Sequence, residues 1–213
     1  TNFFSSTHHL PFAGEYILGG KLVELNQYRG VADSFEVTEF DKKALVFNAG
    51  GSINLVNNNI ENIRSEKHPQ DDLNKRLEEI KVKKLDYEND FNLTFDKINF
   101  LRLLKKASSN ALRKSELKEQ YYFIFSITEN DEVIKRFLCS CSDAEITELN
   151  LLEEVRFDYY SEIIIDYRYL FGLLTTVYHW NNAEVGSLYF SKRKPVDNFN
   201  NQAYRFLNFF SIA

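Results

Sequence analysis

The sequence predicts an α+β protein built on a mixed or antiparallel sheet with helices packed on one face. Three observations carry that expectation. Two strand-sized apolar runs, 121–127 and 133–141, flank Glu129, Asn130 and Asp131, a composition suited to a tight hairpin turn. Two further stretches, 71–84 and 97–114, repeat apolar residues at helical spacing. The run 163–195 then holds strand, helix and return-strand signals in succession, together with the only tryptophan, Trp180.

The chain has 213 residues, enough for one large domain or two small ones with a sizeable core. Hydrophobic residues make up 44% and charged residues 27%, the proportions of a folded rather than a disordered chain. A net charge of −5 supplies no basic excess for a nucleic-acid backbone, so no nucleic-acid partner is expected. No apolar run approaches the length of a bilayer-crossing helix, and the N-terminus lacks a secretory pattern. Cys139 and Cys141, two residues apart on one predicted strand, read as reduced thiols, and the chain is expected to be cytoplasmic. Methionine is absent, which suggests a processed chain or a piece of something longer.

In order along the chain, Leu18, Leu22, Leu25 and Tyr28 predict a short helix after Gly19 and Gly20, with Gly30 as its stop. Phe35, Val37 and Phe40 predict a strand, followed by the apolar run 44–47, a turn at 48–51 and a short strand over 52–56. The helix at 71–84 aligns Leu73, Leu77 and Ile80, with Asp71 and Asp72 at its start and lysines at its end, as its dipole favours. The helix at 97–114 places Ile98, Leu101, Leu104, Ala107 and Ala111 on one face. Arg102, Lys105, Lys106, Arg113 and Lys114 form the other, which reads either as a solvated face or as a membrane-facing basic helix. Residues 143–152 read as weak helix or connection, 162–166 as a strand, 167–179 as a helix and 187–193 as a strand. Apolar residues at 203, 206, 207, 209 and 210 predict a closing helix or aromatic strand.

No nucleophile elbow, Walker loop or dinucleotide fingerprint is present. Gly19–Gly20 and Gly50–Gly51 therefore read as turn glycines. His8 and His9 are the only histidine pair and the only metal-ligand candidates. No H-E-x-x-H or H-x-H-x-D-H motif accompanies them, and loop histidines are the alternative. Around Trp180, the polar side chains of Asn181, Asn182 and Glu184 are ligand-binding candidates. The alternative is a core tryptophan anchoring a helix-to-strand turn closed by Gly186.

Two segments carry a resemblance. Pro11, Phe12, Ala13 and Gly14, and then Trp180, Gly186, Arg193 and Pro195 in the spacing W-x5-G-x6-R-x-P, resemble the C-terminal part of metallo-β-lactamase-fold proteins related to CMP-N-acetylneuraminate hydroxylase. A looser match runs through Ala49, Gly50 and Asn54. The resemblance implies that residues 1–65 end a metal-dependent hydrolase or hydroxylase domain, with a nucleotide sugar as the substrate it suggests. Its zinc or iron ligands would lie upstream, so the chain itself would hold no cofactor, no complete catalytic site and an upstream catalytic domain as partner. By order of elements, residues 66–213 resemble a sterol-carrier-protein-like α+β accessory domain. Two other readings stand beside this one: an apolar-ligand binding module with its ligand between the sheet and the basic helix, and a structural or protein-interaction domain.

Overall fold

The computed structural model describes residues 6–11, 16–28, 33–89, 91–115, 117, 119–197 and 199–213. The chain divides into two compact units, Thr1–Leu85 and Asp86–Ala213. The sequence-derived boundary lies twenty residues earlier, ahead of the helix over 71–84. That helix belongs to the first unit because Ile80 lies against Gly19, where an added Cβ would meet the Ile80 carbonyl oxygen at 3.5 Å.

The first unit opens with a parallel bridge between His9 and Ala44 and a 3-10 helix over Gly20–Tyr28. Where the spacing of Phe35, Val37 and Phe40 predicts a strand, the chain is helical: a 3-10 turn over Ser34–Glu36 runs into α1 (Val37–Phe40). Asp33 decides this locally, because its carboxylate caps the turn by accepting from the Phe35 amide at 2.8 Å. Tertiary contact offers no opposition, since Phe40 is 88% exposed. β1 (Phe47–Asn54) runs straight through the expected turn at 48–51 and pairs antiparallel with β2 (Asn59–Ile63). The glycines there form an irregularity within the strand, with Gly50 at φ 78°. α2 (Gln70–Lys81) forms as its charge pattern predicts.

The second unit begins with α3 (Asp86–Asn89), a 3-10 turn over Phe95–Lys97 and α4 (Phe100–Ser115). β3 (Tyr122–Glu129) and β4 (Glu132–Ser140) form the predicted hairpin. Asn130 and Asp131 both adopt positive φ, as a two-residue turn compatible with strand twist requires. Then come β5 (Ile146–Leu149), β6 (Tyr160–Asp166), α5 (Tyr167–Leu174), α6 (Trp180–Val185), β7 (Phe190–Lys194) and α7 (Asn201–Asn208). The sheet is five-stranded and mixed, in the order β5-β4-β3-β6-β7, with β3 and β6 parallel and the other pairs antiparallel.

β3 is central and buried on both sides. Phe123, Phe125 and Ile127 face the helices: Phe123 stacks on Phe206 of α7, and Phe125 packs against Trp180 of α6 and Phe210. Ile124, Ser126 and Thr128 face the other way and are buried too. The connection from β5 to β6, residues 150–159, crosses that second face. The Arg136 guanidinium of β4 donates to the carbonyls of Asn150, Leu151 and Glu153, and Phe157 stacks on Tyr122 at 3.8 Å. Arg136 also lies 3.6 Å from the Glu162 carboxylate, which accepts from the Ser126 hydroxyl. One cation thus ties three strands to the crossing chain.

α5 ends in a turn that folds back on it, with the amides of Val177 and Tyr178 donating to the Gly172 carbonyl at 2.9 and 3.1 Å. The Tyr178 ring occupies the space beside Gly172 and is pinned by stacking on Tyr169 at 4.6 Å. A Cβ at position 172 would sit 2.4 Å from Tyr178 Cδ2. Gly172→Ala is therefore expected to destabilise the second unit by about 1–3 kcal/mol, as overpacking of a confined ring does. Urea unfolding followed by circular dichroism measures this. Unchanged stability would mean that the ring is free to leave.

Candidate functional site

Trp180 is buried, and its indole N–H donates to the Phe210 carbonyl at 2.8 Å. That bond and the contacts with Phe125, Tyr189 and Phe210 engage both its polar and its apolar parts. The neighbouring candidates do not converge with it. Asn181, Asn182 and Glu184 are exposed on α6, and the Asn181 side chain accepts from the Asn182 amide at 3.0 Å. The structure therefore places one of the four in the core and three in solvent. Gly186 caps α6 in right-handed helical conformation, with its amide donating to the Asn182 carbonyl.

His9 lies in the first unit, where its Nδ1 hydrogen-bonds the Asp41 carboxylate while its backbone exchanges hydrogen bonds with Lys43 and Leu45. The hydrogen bond from His9 holds the Asp41 carboxyl below its ordinary range. His8 is adjacent, and among the described residues no group of three His, Cys, Asp or Glu side chains is placed to hold a metal ion. Pro11 is described, whereas Phe12, Ala13 and Gly14 of the P-F-A-G segment, and Gly30, lie outside the described residues.

Cys139 and Cys141 are free thiols, fully buried. Burial raises the Cys141 thiol well above its ordinary value, and Ser108 of α4 approaches the Cys139 sulfur to 3.2 Å. This last contact also bears on the space under α4. Ala107, Ser108 and Ala111 present small side chains to the sheet, so helix and strand touch directly where a ligand beneath the basic helix was expected.

Sequence reasoning missed a second aromatic layer, on the far side of α5. The sequence YRYLFGLL is apolar nearly all round, so burying one face against the sheet leaves another requiring cover. Residues 86–97 provide it. Tyr87 packs on Tyr169 at 5.2 Å, Phe91 meets Tyr167 and Phe171 edge-on, and Phe95 stacks on Phe100. The Tyr167 hydroxyl donates to the Leu93 carbonyl at 3.2 Å. At the entry to α5, Asp166 caps the Arg168 amide and pairs bidentately with its guanidinium, which lies over the Tyr87 ring at 5.5 Å. Arg168 is thereby held even more firmly protonated.

Within this layer Tyr87 and Tyr169 are 5% and 3% exposed, and desolvation raises both phenols far above their usual range. They stay neutral at any physiological pH. Neither hydroxyl has a protein hydrogen-bond partner among the described residues, although buried hydroxyls normally find one. Sequence reasoning also did not pair Asp166 with Arg168, although opposite charges two residues apart are a signal that could have found them. The two phenols gave no such signal, because their isolation arises only when residue 87 folds onto residue 169.

The second unit is thus an α+β module with helices on one face of a mixed sheet and an additional aromatic cover. No family model and no curated protein matches the chain. Among solved structures it is similar to sterol carrier protein-2 like-3 from Aedes aegypti, with a TM-score of 0.40 and 14% identity over 52% of this chain and 94% of that one. A likeness of that degree assigns neither a ligand nor an activity. None of the comparisons relates the chain to the metallo-β-lactamase fold, so the hydrolase or hydroxylase expectation and its upstream metal stand without support. No helix among the described residues is long and apolar enough to cross a membrane.

Two outcomes follow from this geometry. Trp180→Phe leaves the Phe210 carbonyl without its donor and is expected to cost about 1–3 kcal/mol in chemical denaturation. In native protein neither cysteine should react with Ellman's reagent within minutes, and both should react at once in guanidinium chloride. Rapid native labelling would show that the sheet–α4 contact opens.

Proposed function

We propose that the second unit is a binding module for an apolar ligand that carries one hydrogen-bonding group. The ligand would enter the aromatic layer between α5 and the 86–97 segment rather than the helix–sheet contact under α4. The observation that supports this reading is the pair of buried phenols, Tyr87 and Tyr169, packed ring against ring with no hydrogen-bond partner for either hydroxyl among the described residues. A hydroxyl or carbonyl on the ligand would supply the missing partner, and its apolar body would replace ring contacts such as those of Phe91. The covering segment suits displacement. Over residues 91–94 it has no regular structure, and its one hydrogen bond to α5 described above is the Tyr167–Leu93 bond.

The test uses a nitrobenzoxadiazole-labelled long-chain alcohol as probe, with unlabelled hexadecanol and its methyl ether as competitors. Saturable binding is expected, and the combined Tyr87→Phe and Tyr169→Phe variant should weaken it about three- to tenfold, the range for one or two hydrogen bonds. The same variant should be as stable as the parent or slightly more so, because it removes unsatisfied hydroxyls. Absence of saturable binding, or binding indifferent to both hydroxyls, would overturn the reading.

A further inference from the structure

Among the described residues β7 is an edge strand whose only hydrogen-bonded neighbour is β6, so one side of its backbone presents amides and carbonyls with no strand partner among them. Its sequence, FSKRK, carries three consecutive cations in a protein of net charge −5. None of the three pairs with a carboxylate among the described residues. Lys192 stands directly across from Glu162, but that carboxylate is turned toward Ser126 and Arg136. Arg193 donates to the Val196 carbonyl and lies over the Phe199 ring. On the face away from the helices the strand presents Phe190, Lys192 and Lys194 in alternation, and Phe190 is 62% exposed beside Ile164 of β6.

We infer that β7 is a docking edge for an acidic extended peptide, which adds to the sheet as a sixth strand. Backbone pairing supplies the affinity, and an apolar residue beside Phe190 followed at alternate positions by two carboxylates opposite Lys192 and Lys194 supplies the selectivity. The same lysines reject a second copy of this edge, where cation would meet cation. The free hydrogen-bonding edge favours a strand over an anionic lipid surface, which would use the charges but not the backbone. This inference is independent of the ligand reading, since β7 contributes nothing to the aromatic layer described under α5.

The experiment is fluorescence anisotropy with a fluorescein-labelled peptide alternating threonine with one valine and two glutamates, titrated with the full chain. Three comparisons accompany it: the peptide N-methylated at alternate amides, the peptide with lysine for glutamate, and phosphatidylglycerol vesicles in a sedimentation assay. Saturable binding of the acidic peptide is expected, abolished by N-methylation and by lysine, and weakened at least about tenfold in the Lys192→Glu, Lys194→Glu variant. Both substitutions are on exposed side chains, so an unchanged thermal melt separates lost docking from lost folding. Equal binding of the N-methylated peptide, indifference to the charge reversal, or vesicle binding without peptide binding would overturn the proposal.

Discussion

The second unit depends on one constraint: β3 is buried on both faces, and each face must be covered by something other than β3 itself. A central strand with Phe123, Phe125 and Ile127 on one side and Ile124, Ser126 and Thr128 on the other cannot sit in a one-layer sheet open to water. The helices answer for the first face. Within the second unit the other face is crossed by the irregular chain of residues 150–159, and an irregular backbone over a sheet brings carbonyls that need donors. Arg136 supplies them, and its own charge is balanced by Glu162. The polar cluster on that face is therefore a consequence of covering β3 with unstructured chain. Its groups are already committed to one another, which is why it makes a poor candidate for chemistry.

The parts of the fold that were legible are those whose signal is local. The β3–β4 hairpin was readable because two short-range features agree: a strand-sized apolar run on each arm and residues at the turn that tolerate positive φ. α2 and α4 were readable from helical periodicity and charge placement. The failures share the opposite property. Phe35, Val37 and Phe40 alternate like a strand, yet no neighbouring strand claims them, and the Asp33 cap settles the matter. β5 is four residues long, too short to show a period, and exists because Cys139 and its neighbours offer a pairing edge. The Trp180 motif marked a segment correctly as important to packing but could not say which way its polar neighbours point. Spacing alone does not tell that Trp180 turns inward while Asn181, Asn182 and Glu184 turn out.

The aromatic content of 15% resolves into two populations with different chemistry. Between sheet and helices, Phe123, Phe125, Phe206, Phe210 and Trp180 pack on one another, and their one side-chain polar group, the indole N–H, has a backbone partner. Over α5 tyrosines stand among phenylalanines, and the hydroxyls of Tyr87 and Tyr169 have no hydrogen-bond partner among the described residues, whereas that of Tyr167 donates to the Leu93 carbonyl. A core selected for stability alone would place phenylalanine at positions 87 and 169, since an unpaired hydroxyl in an apolar setting lowers stability relative to the ring without it. Keeping the hydroxyl is explicable if something other than the resting fold uses it.

The two sheet edges make the same contrast on the surface. At the β5 edge the strand is short, the crossing chain begins immediately beyond it, and Lys135 is neutralised by Glu148 across the strand pair. That edge is closed by length and charge compensation together. At the β7 edge the strand is longer, its cations pair with no carboxylate among the described residues, and an exposed phenylalanine interrupts the solubilising pattern. Lysines alone would serve to keep copies apart, and they would do so better without Phe190 beside them. An apolar side chain set in line with unpaired cations along an open ladder discriminates between partners, because it rewards a strand that is acidic and penalises one that is basic. A surface designed only to stay in water has no use for that distinction.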